Sequence, residues 1–430
     1  MSARTEPAPR LSPEQRRAVL AALVGNALEW YDFLLYILLA PYVAHAFFPA
    51  RNGTISLLLA VGTFGVGFVM RPVGALVLGQ YGDRFGRRAA LSLVIFLMTL
   101  ANALLVLTPG AARIGLAAPL LIVVSRLLQG FSVGGDLGSS ATLLIEASPT
   151  GRRGYFGSWQ GATQHVASLA ASATATVTTF AFGHAALAAG WWRLPFALGL
   201  LIGPVGYYIR RHVREPDAVR AALSRRARPL ARLLGTHRRA LLTAMGLISV
   251  STAATYVLEL GMPAYARHTL HLPLHDALAA NTLAGLLGLV AGPLAGAAAD
   301  RFGARRAMLP PVLLLSVLVW PGYWLLTHYP TAGVLLLVQA GLLTLRSMLT
   351  GPLLAMVAPM FPTEVRASGL SVAYNASVLV FGGFAPLITT AMVAGTGDAR
   401  APAFYVLAAA AVTLVALFLM RDGDKERGWG

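Results

Sequence analysis

The sequence contains no cysteine. That excludes a disulfide framework, a thiolate nucleophile and a cysteine-ligated metal site. Charge is also scarce. Asp, Glu, Lys and Arg make up 12% of the 430 residues, about half the share of a soluble protein. What fills the chain is apolar: 57% of residues are hydrophobic and the mean hydropathy is +0.67. Apolar runs of about 20 residues, the length a helix needs to cross a bilayer, recur from end to end. The first run follows a basic tail with Arg4, Arg10, Arg16 and Arg17. It is longer than a signal-peptide core and lacks a small-residue cleavage pattern, so it reads as a retained first span.

The pattern predicts an all-α membrane protein with twelve spans at 18–43, 55–81, 89–108, 115–146, 155–183, 191–209, 240–266, 276–299, 307–327, 333–360, 367–394 and 401–420. An even count puts both termini on one side. The net charge of +17 would suggest nucleic acid in a soluble protein, but placement decides otherwise. Of the 34 basic residues, 26 fall in the two tails and the loops on the side of the termini, and 4 in the opposite loops, with Arg193 just inside the sixth span. By the positive-inside rule the termini are expected in the cytoplasm of a bacterial inner (plasma) membrane, with the basic excess against anionic lipid. No nucleic-acid partner is expected. The chain divides into a tail (1–17), a six-helix half (18–209), a basic linker (210–239), a second six-helix half (240–420) and a final tail (421–430).

Each half repeats a phrase after its second span. "GDRFGRR" at 82–88 returns as "ADRFGARR" at 299–306, with one alanine inserted. A looser echo sets "RRGYFGSW" at 152–159 against "VRASGLSV" at 365–372, each opening a fifth span. Such repeats mark a pseudo-symmetric transporter whose site lies midway between the halves. Asp83 ends a helix, where it can accept from donors across the interface or face the positive end of another helix. Gly79 and Gly82 permit close helix approach. Arg84, Arg87 and Arg88 sit at headgroup level. "GTFGVGF" at 62–68 has the glycine spacing of a nucleotide loop but no preceding strand, so it reads as helix packing.

"GQYGDRFGRR" resembles the signature loop of the major facilitator superfamily. "GNALEWYDFLLY", "FVMRPVGALVLGQYGDRFGRR", "RLLQGFSVGGDLGSSATLLIEASPTGRRGYFGSWQ" and "TEVRASGLSVAYNASVLVFGGFAP" resemble its metabolite:proton symporters. "GSWQGATQHVAS" and "TYVLELGMPAYARHTLHL" are most similar to citrate and tricarballylate symporters. The resemblance implies the twelve-helix fold in two halves. It also implies that Gly79, Asp83, Arg84, Gly86, Arg87 and Arg88 form a gating latch, with Asp300 and Arg301 in a second copy whose geometry the inserted alanine is expected to weaken.

Ionisable residues inside spans are costly and need partners, water or a function. Glu29 and Asp32 share one face of the first helix, with Tyr36 a turn further on. Two carboxylates so placed in a low dielectric do not both ionise readily, which leaves one to take and release a proton. Helix 1 is therefore expected to line the central path. Asp136 stands where family members usually have Glu. Arg126 reads either as a two-pronged contact for a substrate carboxylate or as a salt-bridge partner of helix 1 or Asp136. Arg71, beside Pro72, reads as structural, and Glu146 as a helix cap. Glu259 and Arg346 depart from the citrate-like pattern; they pair with each other, or Arg346 supplies a second anion contact. Proton-coupling candidates are thus Glu29, Asp32, Asp136 and Glu259. Substrate-binding candidates are Asn26, Tyr36, Arg126, Gln160, Gln164, His165, Tyr256, Arg346, Tyr374 and Asn375, set in apolar walls.

The expected function is proton-coupled symport of a small organic acid, a tri- or dicarboxylate such as citrate, by alternating access. Symport of a betaine- or proline-like zwitterion and proton-coupled efflux are the alternatives. Osmoregulated zwitterion carriers of this family often end in a coiled coil, whereas "RDGDKERGWG" after Met420 has no heptads. No nucleophile elbow, phosphate loop or metal cluster points to an enzyme. The expected partners are the organic anion, protons and lipid. The proton is the coupling ion, no other cofactor is expected, and the carrier is expected to be a monomer.

Overall fold

The computed structural model describes residues 13–49, 53–149, 151–201, 203–204, 207–208 and 235–420. Both tails beyond these limits and residues 210–234 of the basic linker lie outside the described residues. The described chain is helical, with no strand. Among the described residues nine helices are long and apolar enough to cross a membrane, and a bent pair makes a tenth crossing. The long helix Gly53–Phe85 occupies the second expected span, and the helix Arg193–Gly199 lies in the sixth, part of which is outside the described residues.

In chain order, α1 is Pro13–Leu38, continued after a 70° bend by Ala40–Phe47. Helices α2 (Gly53–Phe85), α3 (Arg87–Leu107), α4 (Ala117–Ala147), α5 (Arg153–Ala186) and α6 (from Arg193) complete the first half. The second half begins with α7, Arg238–Ala254, which runs through a π turn at Thr255–Leu260 into Met262–His268. Then come α8 (Leu274–Phe302) and α9 (Ala304–His328). Helix α10 is broken into Ala332–Ser347 and Thr350–Val357, and α11 into Arg366–Phe381 and Ala385–Thr396. Helix α12 is Ala401–Leu419.

With no water to hydrogen-bond in a bilayer, helices pack through small residues. Helix α2 lies along α4 so closely that a Cβ on Gly130 would strike the Gly67 carbonyl oxygen, and one on Gly74 the Phe131 carbonyl oxygen. Gly130→Val should therefore lower stability by about 1–3 kcal/mol through overpacking. The check is the thermal unfolding midpoint of purified protein, which should fall clearly below that of the parent.

The halves meet along α2 with α11, α4 with α11, and α5 with α8 and α10. These contacts gather at the end carrying the repeated phrases, here called the basic end. A Cβ on Gly79 would stand 2.9 Å from the Ser368 Cα, and one on Gly154 would strike the Gly296 carbonyl oxygen. Toward the opposite end the halves part, and Gly62 and Gly65 face open space.

Both repeated phrases build the same device. Asp83 Oδ1 and Oδ2 accept from the backbone N–H groups of Ala367 (3.2 Å) and Ser368 (2.9 Å), in the first turn of α11. Asp300 Oδ1 and Oδ2 accept from Gly154 (2.6 Å) and Tyr155 (2.8 Å), in the first turn of α5. Each acid thus caps the fifth helix of the other half, where unpaired N–H groups and the helix dipole favour an anion. The second copy is not weakened, contrary to expectation. In both copies the acid precedes by three residues a glycine with φ 100°, ψ 159° (Gly86) or φ 90°, ψ 141° (Gly303), a region essentially closed to other residues. The inserted Ala304 follows that glycine and begins α9, so it leaves the acid's position intact. Arg84 and Arg301 are exposed. The side chain of Arg87 lies outside the described residues. Glu146 does more than cap its helix: it pairs with Arg366 of α11 at 2.8 Å, a third tie between halves at this end.

Candidate functional site

Between the halves, a cavity of about 580 Å³ lies on the opposite-end side of Tyr256, with Tyr36, Phe68, Arg71, Leu260, Asn375 and Phe384 in its wall. A smaller one of about 50 Å³ lies on the basic-end side, walled by Gln160, Gln164, Thr252, Tyr256, Arg346 and Tyr374 among others. Tyr256 belongs to both walls and partitions them. It is held there by local sequence. The π turn of α7 carries it, and Gly382 at the break in α11 lies beneath its ring, where a Cβ would come within 2.8 Å. Phe68 meets the ring edge-on at 5.7 Å.

Arg71 Nη1 donates to the Tyr256 hydroxyl at 3.2 Å. Its guanidinium lies over Phe68 (4.2 Å) and Phe33 (4.9 Å), contacts worth about 0.5–2 kcal/mol each for a desolvated cation. Its Nε and Nη2 are buried and have no hydrogen-bond partner among the described residues. Arg346, from the other half, has a likewise unpartnered Nε and stands 3.9 Å from Glu259. Tyr256 and Tyr374 both lie within electrostatic range of Arg71 and Arg346. Two cations, one from each half, therefore converge on one pair of tyrosines.

The acids are distributed differently from the sequence expectation. The carboxylate that acts on Glu29 is Asp136 of α4, not Asp32, and Arg71 acts on Glu29 as well. Asp136 accepts from Ser140 at 3.0 Å, and Tyr374 is in range of both acids. Asp32 turns away from the path into its own half. It accepts from Gln129 at 3.1 Å, and its Oδ1 packs against Gly199 of α6. Arg126 accompanies it there, donating to Gln129 and to Ser125 (3.3 Å) and stacking 4.4 Å from the Tyr36 ring. Neither of the two cavity walls includes Arg126. Arg126 thus reaches Asp32 of helix 1 through Gln129, with no direct ion pair between the two among the described residues.

Two family-model matches settle the lineage. A model for sugar and other transporters matches residues 18–216, and the major facilitator superfamily model matches residues 244–429. A citrate-proton symporter of Klebsiella pneumoniae is 36% identical over 400 residues, covering 93% of this chain and 90% of that protein. The chain belongs to the major facilitator superfamily. A proline/betaine transporter of Escherichia coli (strain K12) is 31% identical over 423 residues, covering 95% of this chain and 83% of that protein. A solved structure of the proton:xylose symporter XylE superposes with TM-score 0.71 at 17% identity, over 96% of each chain, a likeness of fold. Membership makes the chain a multi-pass membrane transporter among metabolite symporters.

Other candidates serve the frame. Asn26 Nδ2 donates to the Gln160 carbonyl (3.0 Å) and Thr163 Oγ1 (2.6 Å), and Gln160 Nε2 donates back to Asn26 Oδ1 (2.9 Å). This amide exchange ties α1 to α5 and commits Asn26, while Gln160 and Gln164 still reach the inner wall. His165 meets Ser347 Oγ at 2.9 Å beside Gly288, in the seam between halves. Asn375 donates to the Gly134 carbonyl at 2.9 Å, and Tyr36 to the Ala60 carbonyl at 3.1 Å, each while facing the outer cavity. The residue undervalued from sequence is Arg71. An arginine well inside a span, three residues after Phe68 on the same helix face, was a sufficient signal for a cavity cation.

Proposed function

We propose that the protein is a proton-coupled symporter of a small organic acid, a tri- or dicarboxylate such as citrate, working by alternating access. One observation carries this reading: Arg71 and Arg346, one from each half, present unpartnered buried nitrogens around the same tyrosines. Tyr256 stands between them, so a ligand with two carboxylates would engage both and join the halves once that ring moves aside, and the fork geometry of guanidinium suits it. The similarity to a citrate-proton symporter supports it. With the basic end in the cytoplasm of a bacterial inner membrane, as the charge asymmetry favours, the arrangement described is closed inward and open outward. The proton is the coupling ion, Glu29, Asp136 and Glu259 are the acids placed to carry it, and Asp32 acts at one remove through Arg126. The role is carriage and not catalysis, and the carrier unit is one chain.

The similarity to proline/betaine transporters keeps a zwitterion as the second reading, with Glu259 receiving its cationic group. Ligand-induced thermal stabilisation separates the two. Citrate, tricarballylate, α-ketoglutarate, succinate, glycine betaine and proline are compared at about pH 5.5 and about pH 7.5. Stabilisation by the carboxylates, greater at the lower pH, is expected. Stabilisation by betaine or proline alone would replace the reading.

Glu29→Gln and Asp136→Asn should each stop accumulation of substrate against its gradient while exchange of labelled for unlabelled substrate continues. Uptake and counterflow in proteoliposomes measure this. If both variants accumulate as the parent does, these acids do not couple.

A further inference from the structure

Glu259 and Arg346 form an ion pair with an unusual division of order. The backbone under Glu259 is fixed twice. Its carbonyl accepts from Asn281 Nδ2 of α8 at 3.1 Å, and the preceding carbonyl, of Leu258, accepts from Gln339 Nε2 of α10 at 3.2 Å. The π turn, whose wider bonding pattern recurs at functional sites, is thereby braced from two neighbouring helices. The side chain above it is not braced. The Glu259 carboxylate accepts no hydrogen bond among the described residues, and its 3.9 Å separation from Arg346 Nη1 exceeds hydrogen-bonding distance. Arg346, buried with its Nε unpartnered, faces the inner cavity.

We infer that Glu259 is the resident carboxylate of the anion site, which the substrate displaces from Arg346 and which then takes up a proton, one of those carried with the substrate. The inference rests on the carboxylate reading above and deepens it. A loose pair balances charge in the empty site without the hydrogen bonds that make a buried pair strong. An incoming carboxylate can supply those bonds to Arg346, and Glu259, largely buried, is then left without a counter-ion. A proton bound at its Oε2 removes that cost. Release toward the basic end reverses the exchange, the proton leaving as Glu259 regains Arg346.

The surroundings leave few other groups to do this. The π turn is packed by α10, by the outer segment of α11 and by α8. Arg346 is the charged group acting on Glu259. The α11 segment has no titratable side chain, and α8 offers the neutral amide of Asn281. Arg346 is itself faced by His165 of α5, Tyr256 of α7 and Tyr374 of α11, and Tyr256 in turn by Arg71 of α2.

The test is citrate affinity against pH, measured on the purified full chain and on Glu259→Gln and Glu259→Asp. Binding that takes up a proton weakens by up to about tenfold per pH unit for each proton. In Glu259→Gln that dependence should drop by one proton's worth, and citrate should bind about tenfold more tightly near pH 7.5, because no internal anion occupies Arg346. Glu259→Asp keeps a competitor and should keep the parent's dependence. Citrate's own titration cancels in these comparisons. A pH dependence unchanged in Glu259→Gln overturns the inference while leaving the carboxylate reading intact. Should that variant not fold, proton uptake on citrate binding to the parent in weak buffer decides, and no uptake overturns it. Failure of the parent to bind any carboxylate removes both.

Discussion

Arg71→Ala is expected to weaken carboxylate binding by about 30-fold or more, the largest effect of any single substitution in the site. The guanidinium is buried between two aromatic rings and spends one of its donors on Tyr256. Two further donors, Nε and Nη2, are buried without a hydrogen-bond partner among the described residues, and the residue lines the outer cavity. Removing one partner of a buried, hydrogen-bonded charge pair costs about 2–5 kcal/mol, and 1.4 kcal/mol is about tenfold in affinity. Arg71→Lys keeps the charge but not the planar fork, so a smaller loss of about tenfold is expected. The truncation also strips Glu29 of a nearby cation. Arg71→Ala combined with Glu29→Gln should therefore regain thermal stability without regaining binding. Isothermal titration with citrate and unfolding midpoints for all three variants measure this. Parental affinity in Arg71→Ala would assign the anion contact elsewhere.

The second large effect concerns the basic end. Asp83→Asn with Asp300→Asn should favour opening at that end by about 30-fold or more. Each native carboxylate accepts two backbone N–H groups at a helix start in the other half. An amide offers one acceptor oxygen and no charge. Losing a cap and its dipole interaction costs about 1–2 kcal/mol per site, and sites at separate helix ends add. The cysteine-free chain makes the readout clean. Thr350→Cys, on the inner cavity wall, should react slowly with a polar maleimide in the parent and about 30-fold faster in the double variant. Asp300→Asn alone should supply about half of the free-energy change. An unaltered rate in that single variant would mean that the second phrase, despite its geometry, does not hold the end closed.

The fold was legible because the bilayer imposes a strong rule. Backbone polar groups unsatisfied in hydrocarbon force long apolar helices, and these announce themselves one segment at a time. Span limits such as 155–183 and 307–327 differ by only a few residues from the helices Arg153–Ala186 and Ala304–His328. The role of Asp83 was legible for a related reason, since a charged phrase repeated at matching positions has matching surroundings. The site was legible in kind but not in partnership. Glu29 and Asp32, three residues apart, promised an acid pair. Helix 1 instead points one at Asp136 and Arg71, and the other at Gln129 and Gly199.

Sequence by itself thus determined the twelve crossings, the two halves, the uneven distribution of basic residues and the set of ionisable groups that must be accounted for within the membrane. Only tertiary structure decided which of those groups meet. The division has a physical cause. Crossing a bilayer depends on local hydrophobicity summed along one segment. Charge partnership depends on distances of a few ångströms between helices far apart in sequence, set by glycine contacts, a π turn in α7 and breaks in α10 and α11. Those features carry little periodicity of their own, so Arg71 became a cavity residue, and Arg126 a buried brace, only once the helices were packed.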